Sequence, residues 1–177
     1  MLFKHGRRDQ TRVPVYVDLA AFHPKKISNT YFFDVCLGWE GLCIEGDPAK
    51  IPLFNSTVRG CHLVPKLISA RDGEEVVFAS QGGAGGSGIT GKLQPAKETY
   101  FGYREIKLKT TTLEKVLDST NVKHVDLLSL DVEGAEMAVL DGTRSPSTSS
   151  SQRMPLNLVR GRRARAHTRR CSSSEDT

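Results

Sequence analysis

The stretch "VPVYVDLAAFHPKKISNTYFFDVCLGWEGLCIEGDP", Val13–Pro48, decides how the rest of the chain reads. "VPVYVDL" is a short apolar run of β-branched and aromatic residues, the composition of a buried strand. After a loop, Ser28 is a candidate helix N-cap. Tyr31, Phe32, Val35, Cys36 and Trp39 then recur near helical spacing, and Gly38 is a plausible stop. "GLCIEGDP" reads as a second strand ending at Glu45, with Asp47-Pro48 as a turn. Strand, helix and strand within about 30 residues is the size of a βαβ unit. A nucleotide-binding strand of this kind normally runs into a glycine-rich turn. Here Asp18 is followed by Leu19, Ala20, Ala21 and Phe22, with no glycine. That argues against a pyrophosphate, which needs close backbone approach, and much less against a cofactor without one.

Working outward, "CHLVPKLIS" (Cys61–Ser69) alternates like a strand, and Pro65 suggests an edge position or a bulge. "PAKIPLFNSTVRG" predicts a short helix weakened by Pro52. "EEVVFAS" (Glu74–Ser80) predicts another strand, and the glycine-rich run from Gln81 to Gly91 predicts a flexible loop. "YREIKLKTTTLEKVLDS" changes period near Thr112, predicting a strand and then a helix capped by Thr111 or Thr112. "HVDLLSLDV" (His124–Val132) is the clearest strand, and "EGAEMAVLDG" predicts a helix stopping at Gly142. Alternating strands and helices predict an α/β doubly wound sheet.

In 177 residues there is room for one domain with a real core. The net charge of +5 is misleading, because the segment from Thr143 onward holds eight arginines against Glu175 and Asp176. That leaves the body slightly acidic. The segment is serine- and arginine-rich without apolar period, so it predicts a disordered tail over 143–177. Its arginines could meet phosphates, but no aromatic residue is there to stack bases, and nucleic acid is not an expected partner. No apolar run reaches the roughly 20 residues of a membrane span. Residues 1–12 form an N-terminal extension without an apolar signal region, and the four cysteines have no zinc spacing. Reduced thiols and a cytoplasmic location follow as expectations.

Three groups could carry chemistry. Asp18 and Glu45, 27 residues apart across a predicted helix, would share the carboxyl edge of a parallel sheet, where ligands bind. An acid at the end of the second strand can accept both ribose hydroxyls. The alternative is a loop cap at Asp18 and a solvated strand end at Glu45. Asp131, ending its strand, would lie at the same edge, with Glu133 and Glu136 opening the next helix, where acids also suit the helix dipole. "GSGITGK" (Gly86–Lys92) fits a phosphate-loop pattern, yet Leu93 stands where a magnesium-binding hydroxyl belongs and no helix is predicted to follow.

Three blocks resemble the FkbM-type methyltransferase family: "YVDLAAFHPKKISNTYFFDVCLGWEGLCIEGDP", "GCHLVPKLIS" and "TTLEKVLDSTNVKHVDLLSLDVEGAEMAVLDG". The most specific part is "LSLDVEGAE" with "VLDG". The resemblance covers residues 13–142 and implies a mostly parallel, Rossmann-like class I methyltransferase sheet. The implied cofactor is S-adenosyl-L-methionine, and the implied reaction is O-methylation of a sugar, glycan or other small-molecule acceptor. It implies that Asp18, Ala20, Ala21 and Phe22 lie by the methionine part, Glu45 by the ribose and Ser69 by the adenine. Asp131 would face cofactor or acceptor as a base, and Glu133 would help to position the acceptor. The family pattern continues beyond the "VLDG" helix with a further strand. Here the match ends at Gly142, which predicts a truncated domain. A non-catalytic remnant, or a binding module with a basic tail, is the alternative.

Overall fold

Tyr16 to Leu19 are buried almost completely, and the strand they belong to is the centre of the molecule. The computed structural model describes residues 12–57, 59–81, 87–90, 104–132, 134–141 and 158–160. Strand β1 (Val15–Leu19) pairs in parallel with β2 (Glu40–Ile44) on one side and β8 (Leu127–Leu130) on the other. Beyond β2 lies β3 (His62–Val64), and beyond β8 lies β9 (Leu158–Arg160), both parallel. The order β3-β2-β1-β8-β9 reverses direction between β1 and β8. A parallel sheet buried on both faces favours near-continuous apolar strands such as "VYVDL" and "LLSL".

The two faces of β1 make two cores. Val17, Leu19, Leu42, Ile44, Leu128 and Leu130 pack with Leu113, Val116 and Leu117 of α2 (Leu113–Ser119) and Val139 of α3 (Glu136–Asp141). On the other face, Tyr16, Cys43 and Leu127 pack with Phe54 of α1 (Ile51–Asn55), against Phe33 and Trp39. Gly41 of β2 lies under the Tyr16 ring, where an added Cβ would come within 2.1 Å of the ring. Helix α2 starts as its sequence predicts, with the Thr112 hydroxyl accepting from the Lys115 amide at 3.3 Å. A second sheet has the order β4-β7-β5-β6, from β4 (Leu67–Ile68), β7 (Arg104–Thr111), β5 (Glu75–Ser80) and β6 (Gly88–Ile89).

Several expectations change. The predicted strand Cys61–Ser69 is two strands, β3 and β4, in different sheets. Pro65 lacks an amide for a ladder, and the chain turns there, with the Lys66 amide on the Val64 carbonyl at 2.9 Å. The helix expected from Tyr31 to Gly38 is a single π-helical turn, Phe32–Cys36, that buries the charged Asp34. Within the predicted loop Gln81–Gly91, Gly88–Ile89 pairs antiparallel with Phe78 and Ala79 of β5. Cysteines 43 and 61 are not reduced thiols: they form a disulfide across the β2–β3 pair, Cα–Cα 5.7 Å. The sheet continues past the "VLDG" helix, because Leu158–Arg160 adds a strand beside β8 in the segment read as tail. The remainder of that segment, the N-terminal extension before Arg12, and Gly86, Gly91 and Lys92 of the "GSGITGK" pattern lie outside the described residues. No helix among the described residues is long and apolar enough to cross a membrane.

Candidate functional site

The carboxyl ends of β1, β2 and β8 meet where the strand order reverses, the usual ligand edge of an open parallel sheet. Leu19 pairs with Ile44 and with Leu130, so Glu45 and Asp131 both stand level with Ala20. The Asp131 amide donates to the Leu19 carbonyl at 3.4 Å, and its residue is exposed. Asp18 lies two residues further back, inside the strand and opposite Cys43 and Ser129. The structure therefore brings Glu45 and Asp131 to one level and leaves Asp18 beneath them.

Glu45 is 5% exposed. One of its oxygens accepts from the Phe22 amide and the other from the Asp47 amide, each at 2.7 Å. Burial pushes its carboxyl above the usual range, opposed by the Asp47 amide, the Lys50 charge and the Phe22 amide. The turn that delivers the Phe22 amide needs left-handed backbone at Ala20 (φ 60°) and Phe22 (φ 54°), conformations that glycine adopts most easily. The missing glycines are thus replaced by side-chain-bearing residues held in a glycine-like path. Ala21 is buried, its amide on the Ile44 carbonyl at 3.1 Å. The Phe22 ring is half-buried, with the Lys50 ammonium 4.5 Å above its centre.

Asp18 has partners of its own. Its Oδ2 accepts from the Thr30 hydroxyl at 2.6 Å and lies 3.5 Å from a guanidinium nitrogen of Arg59. The Arg59 side chain, 2% exposed, also donates to Asp34 at 3.0 Å, to the Pro24 carbonyl and Ser28 hydroxyl at 2.9 Å each, and to the Thr30 hydroxyl. Asp34 further accepts from the Tyr16 hydroxyl at 2.9 Å and the Gly60 amide at 3.2 Å. Burial outweighs these partners at Asp18 and raises its pKa. Burial likewise pushes the Tyr16 phenol up.

Ser69 is buried at the end of β4 in the second sheet, its amide on the Thr111 carbonyl at 2.9 Å, and so does not end β3 as the sequence suggested. Glu133 lies outside the described residues. Sequence reasoning missed Arg59, whose partners come from three separate segments, and it read Asp47 only as a turn residue. Asp47 is fully buried and accepts from the Ala49 amide and the hydroxyls of Ser80 and Ser87, at 3.0, 2.7 and 2.8 Å. A cleft of about 420 Å³ lies at the opposite, amino-terminal edge, among Glu40, His62, Asn121 and Lys123, remote from these acids.

A parallel α/β sheet here carries two acids at its topological reversal, one of them buried and pinned by backbone amides, at the edge where open α/β sheets generally bind ligands. The "Methyltransferase FkbM domain" family model matches residues 18–159, most of the chain, and the protein belongs to that methyltransferase family. The match runs past Gly142 into β9. No curated protein and no solved structure matches the chain.

Proposed function

We propose that this domain is a Rossmann-like class I methyltransferase that uses S-adenosyl-L-methionine to methylate a hydroxyl oxygen of a sugar, glycan or other small molecule. The observation that carries the reading is Glu45. Two backbone amides fix its carboxylate, each oxygen keeps acceptor capacity, and it stands level with Asp131 at the sheet's reversal point. A carboxylate so held can accept two vicinal hydroxyls, which suits the ribose of a nucleoside cofactor. The residues fit such a group in a second respect: the Ala20–Phe22 turn already follows the close-approach path without needing glycine.

When bound, the cofactor supplies a methyl group made electrophilic by its sulfonium. This chain's residues bind, orient and exclude water around it, which for an in-line displacement is much of the catalysis. Asp131, exposed at the mouth, is the group to take the proton of the acceptor hydroxyl on a carboxylate oxygen. Asp18 acts at one remove, holding the 22–30 loop through Thr30 and Arg59.

Calorimetry on the full chain tests this. S-adenosylmethionine and S-adenosylhomocysteine are expected to bind, and Glu45→Gln to weaken both by about tenfold or more, the scale of lost charge-assisted hydrogen bonds. Asp131→Asn should leave that affinity near the wild-type value and remove turnover. Folded wild-type protein that binds neither compound at millimolar concentration sinks the proposal.

A further inference from the structure

We infer that Gln81 reads the base of the bound nucleoside, its side-chain oxygen accepting a hydrogen bond from the exocyclic amine of adenine. The inference rests on the cofactor reading above and adds a specificity-determining residue to the same site. Gln81 directly follows β5 and is 9% exposed, yet its Oε1 is buried with no hydrogen-bond partner among the described residues. A buried carbonyl without a donor is costly, and native proteins rarely leave one unless a ligand or water completes it.

Its neighbours connect it to the ribose-binding acid. The Gln81 amide donates to the Ser87 hydroxyl at 3.0 Å, and that hydroxyl donates to Asp47 at 2.8 Å. The Asp47 amide in turn donates to Glu45. The Gln81 backbone is thereby linked to Glu45 through Ser87 and Asp47, which places the residue in the hydrogen-bonded surroundings of that acid. The other polar side chains of this cluster are occupied. Asp47 uses both oxygens, Ser80 and Ser87 donate to it, and the Lys50 ammonium is engaged by Ser87 at 3.1 Å and the Phe22 ring. The acceptor left over is neutral. It suits a neutral N–H donor on a flat heteroaromatic ring better than an ammonium, which would be drawn to the carboxylates. The half-buried Phe22 ring, tied through its amide to Glu45, supplies apolar surface at the same end.

The test compares binding of S-adenosylhomocysteine with its analogue lacking the exocyclic amino group. It uses the full-length wild type, Gln81→Met and Gln81→Leu, and follows thermal unfolding of each unliganded protein. The wild type is expected to prefer the amino compound by about tenfold or more, because the analogue leaves the buried acceptor unpaired. Both variants should bind the two compounds within about twofold of each other, with an unliganded melting midpoint no lower than wild type, since an unmet acceptor has been removed. Tight wild-type binding without discrimination overturns this inference alone. So does discrimination that survives in Gln81→Met alongside a lowered melting midpoint, the mark of a structural glutamine. Wild type that binds neither compound overturns the cofactor reading and this inference with it.

Discussion

Arg59 shows how one side chain organises the floor of the site. Its buried guanidinium joins the buried Asp18 in β1 and Asp34 in the π-helical turn to the Pro24 carbonyl and the Thr30 hydroxyl of the loop between them. Removing it leaves two buried acids without their cation, so Arg59→Met is expected to cost about 3–5 kcal/mol in urea unfolding. The loss should depend on pH. An acid whose folded pKa is raised contributes stability that is fully present below its unfolded pKa and is lost as pH rises through the folded value. Asp18 is raised already, and Arg59 opposes the rise, so the variant's Asp18 is raised further. The deficit in Arg59→Met should therefore shrink on acidification from neutral toward the ordinary carboxylate range, and a pH-independent deficit contradicts the assignment. Ile27 presents a simpler case. It is 78% exposed and sits at φ 60°, where a β-branched side chain is strained. Ile27→Gly gives up almost no packing and should raise stability by about 0.5–1 kcal/mol, read as a higher urea midpoint.

At the scale of elements, β2 and β3 are joined twice, by their ladder and by the Cys43–Cys61 disulfide. β3 is three residues long and is followed by Pro65, so its own pairing is slight. The disulfide closes a loop of 18 residues that contains Asp47, Lys50 and Arg59, and it thereby limits how far these groups can separate in the unfolded chain. Cys61→Ser is expected to lower stability by about 3 kcal/mol. Intact mass after alkylation without reductant should show these two thiols unlabelled, and labelling of both would refute the pairing. Glu45 sits where this loop leaves β2, so the same variant should also weaken binding of the proposed cofactor.

For the whole molecule, the telling feature is β9. Leu127–Leu130 of β8 is entirely buried, and without β9 its outer row of backbone groups would have no ladder partner among the described strands. Ending the chain at residue 142 should cost about 2–4 kcal/mol in lost ladder hydrogen bonds and should promote edge-to-edge self-association. Thermal melting and light scattering of the shortened chain against the full chain measure both. Equal melting and equal scattering would show that β9 adds nothing to the sheet.

The local sequence determined β1, β2, β8, α2 and the helix at "EGAEMAVLDG", because continuous apolar runs, a Thr112 cap and a 3.6-residue period act within a few residues of themselves. It also marked Glu45 and Asp131 as acids at strand ends, since strand register carries them to one level. Tertiary structure alone decided that Asp18 faces Arg59 below that level, and that Cys43 meets Cys61. It also decided that "CHLVPKLIS" divides between two sheets, that Leu158–Arg160 closes one edge, and that Gln81, its amide on the Ser87 hydroxyl, keeps an unpaired buried side-chain oxygen. The physical reason is range. Each of these outcomes depends on a partner at least several residues away, often tens, and on burial that sets the cost of leaving a charge or carbonyl alone. Neither quantity is carried by residue spacing.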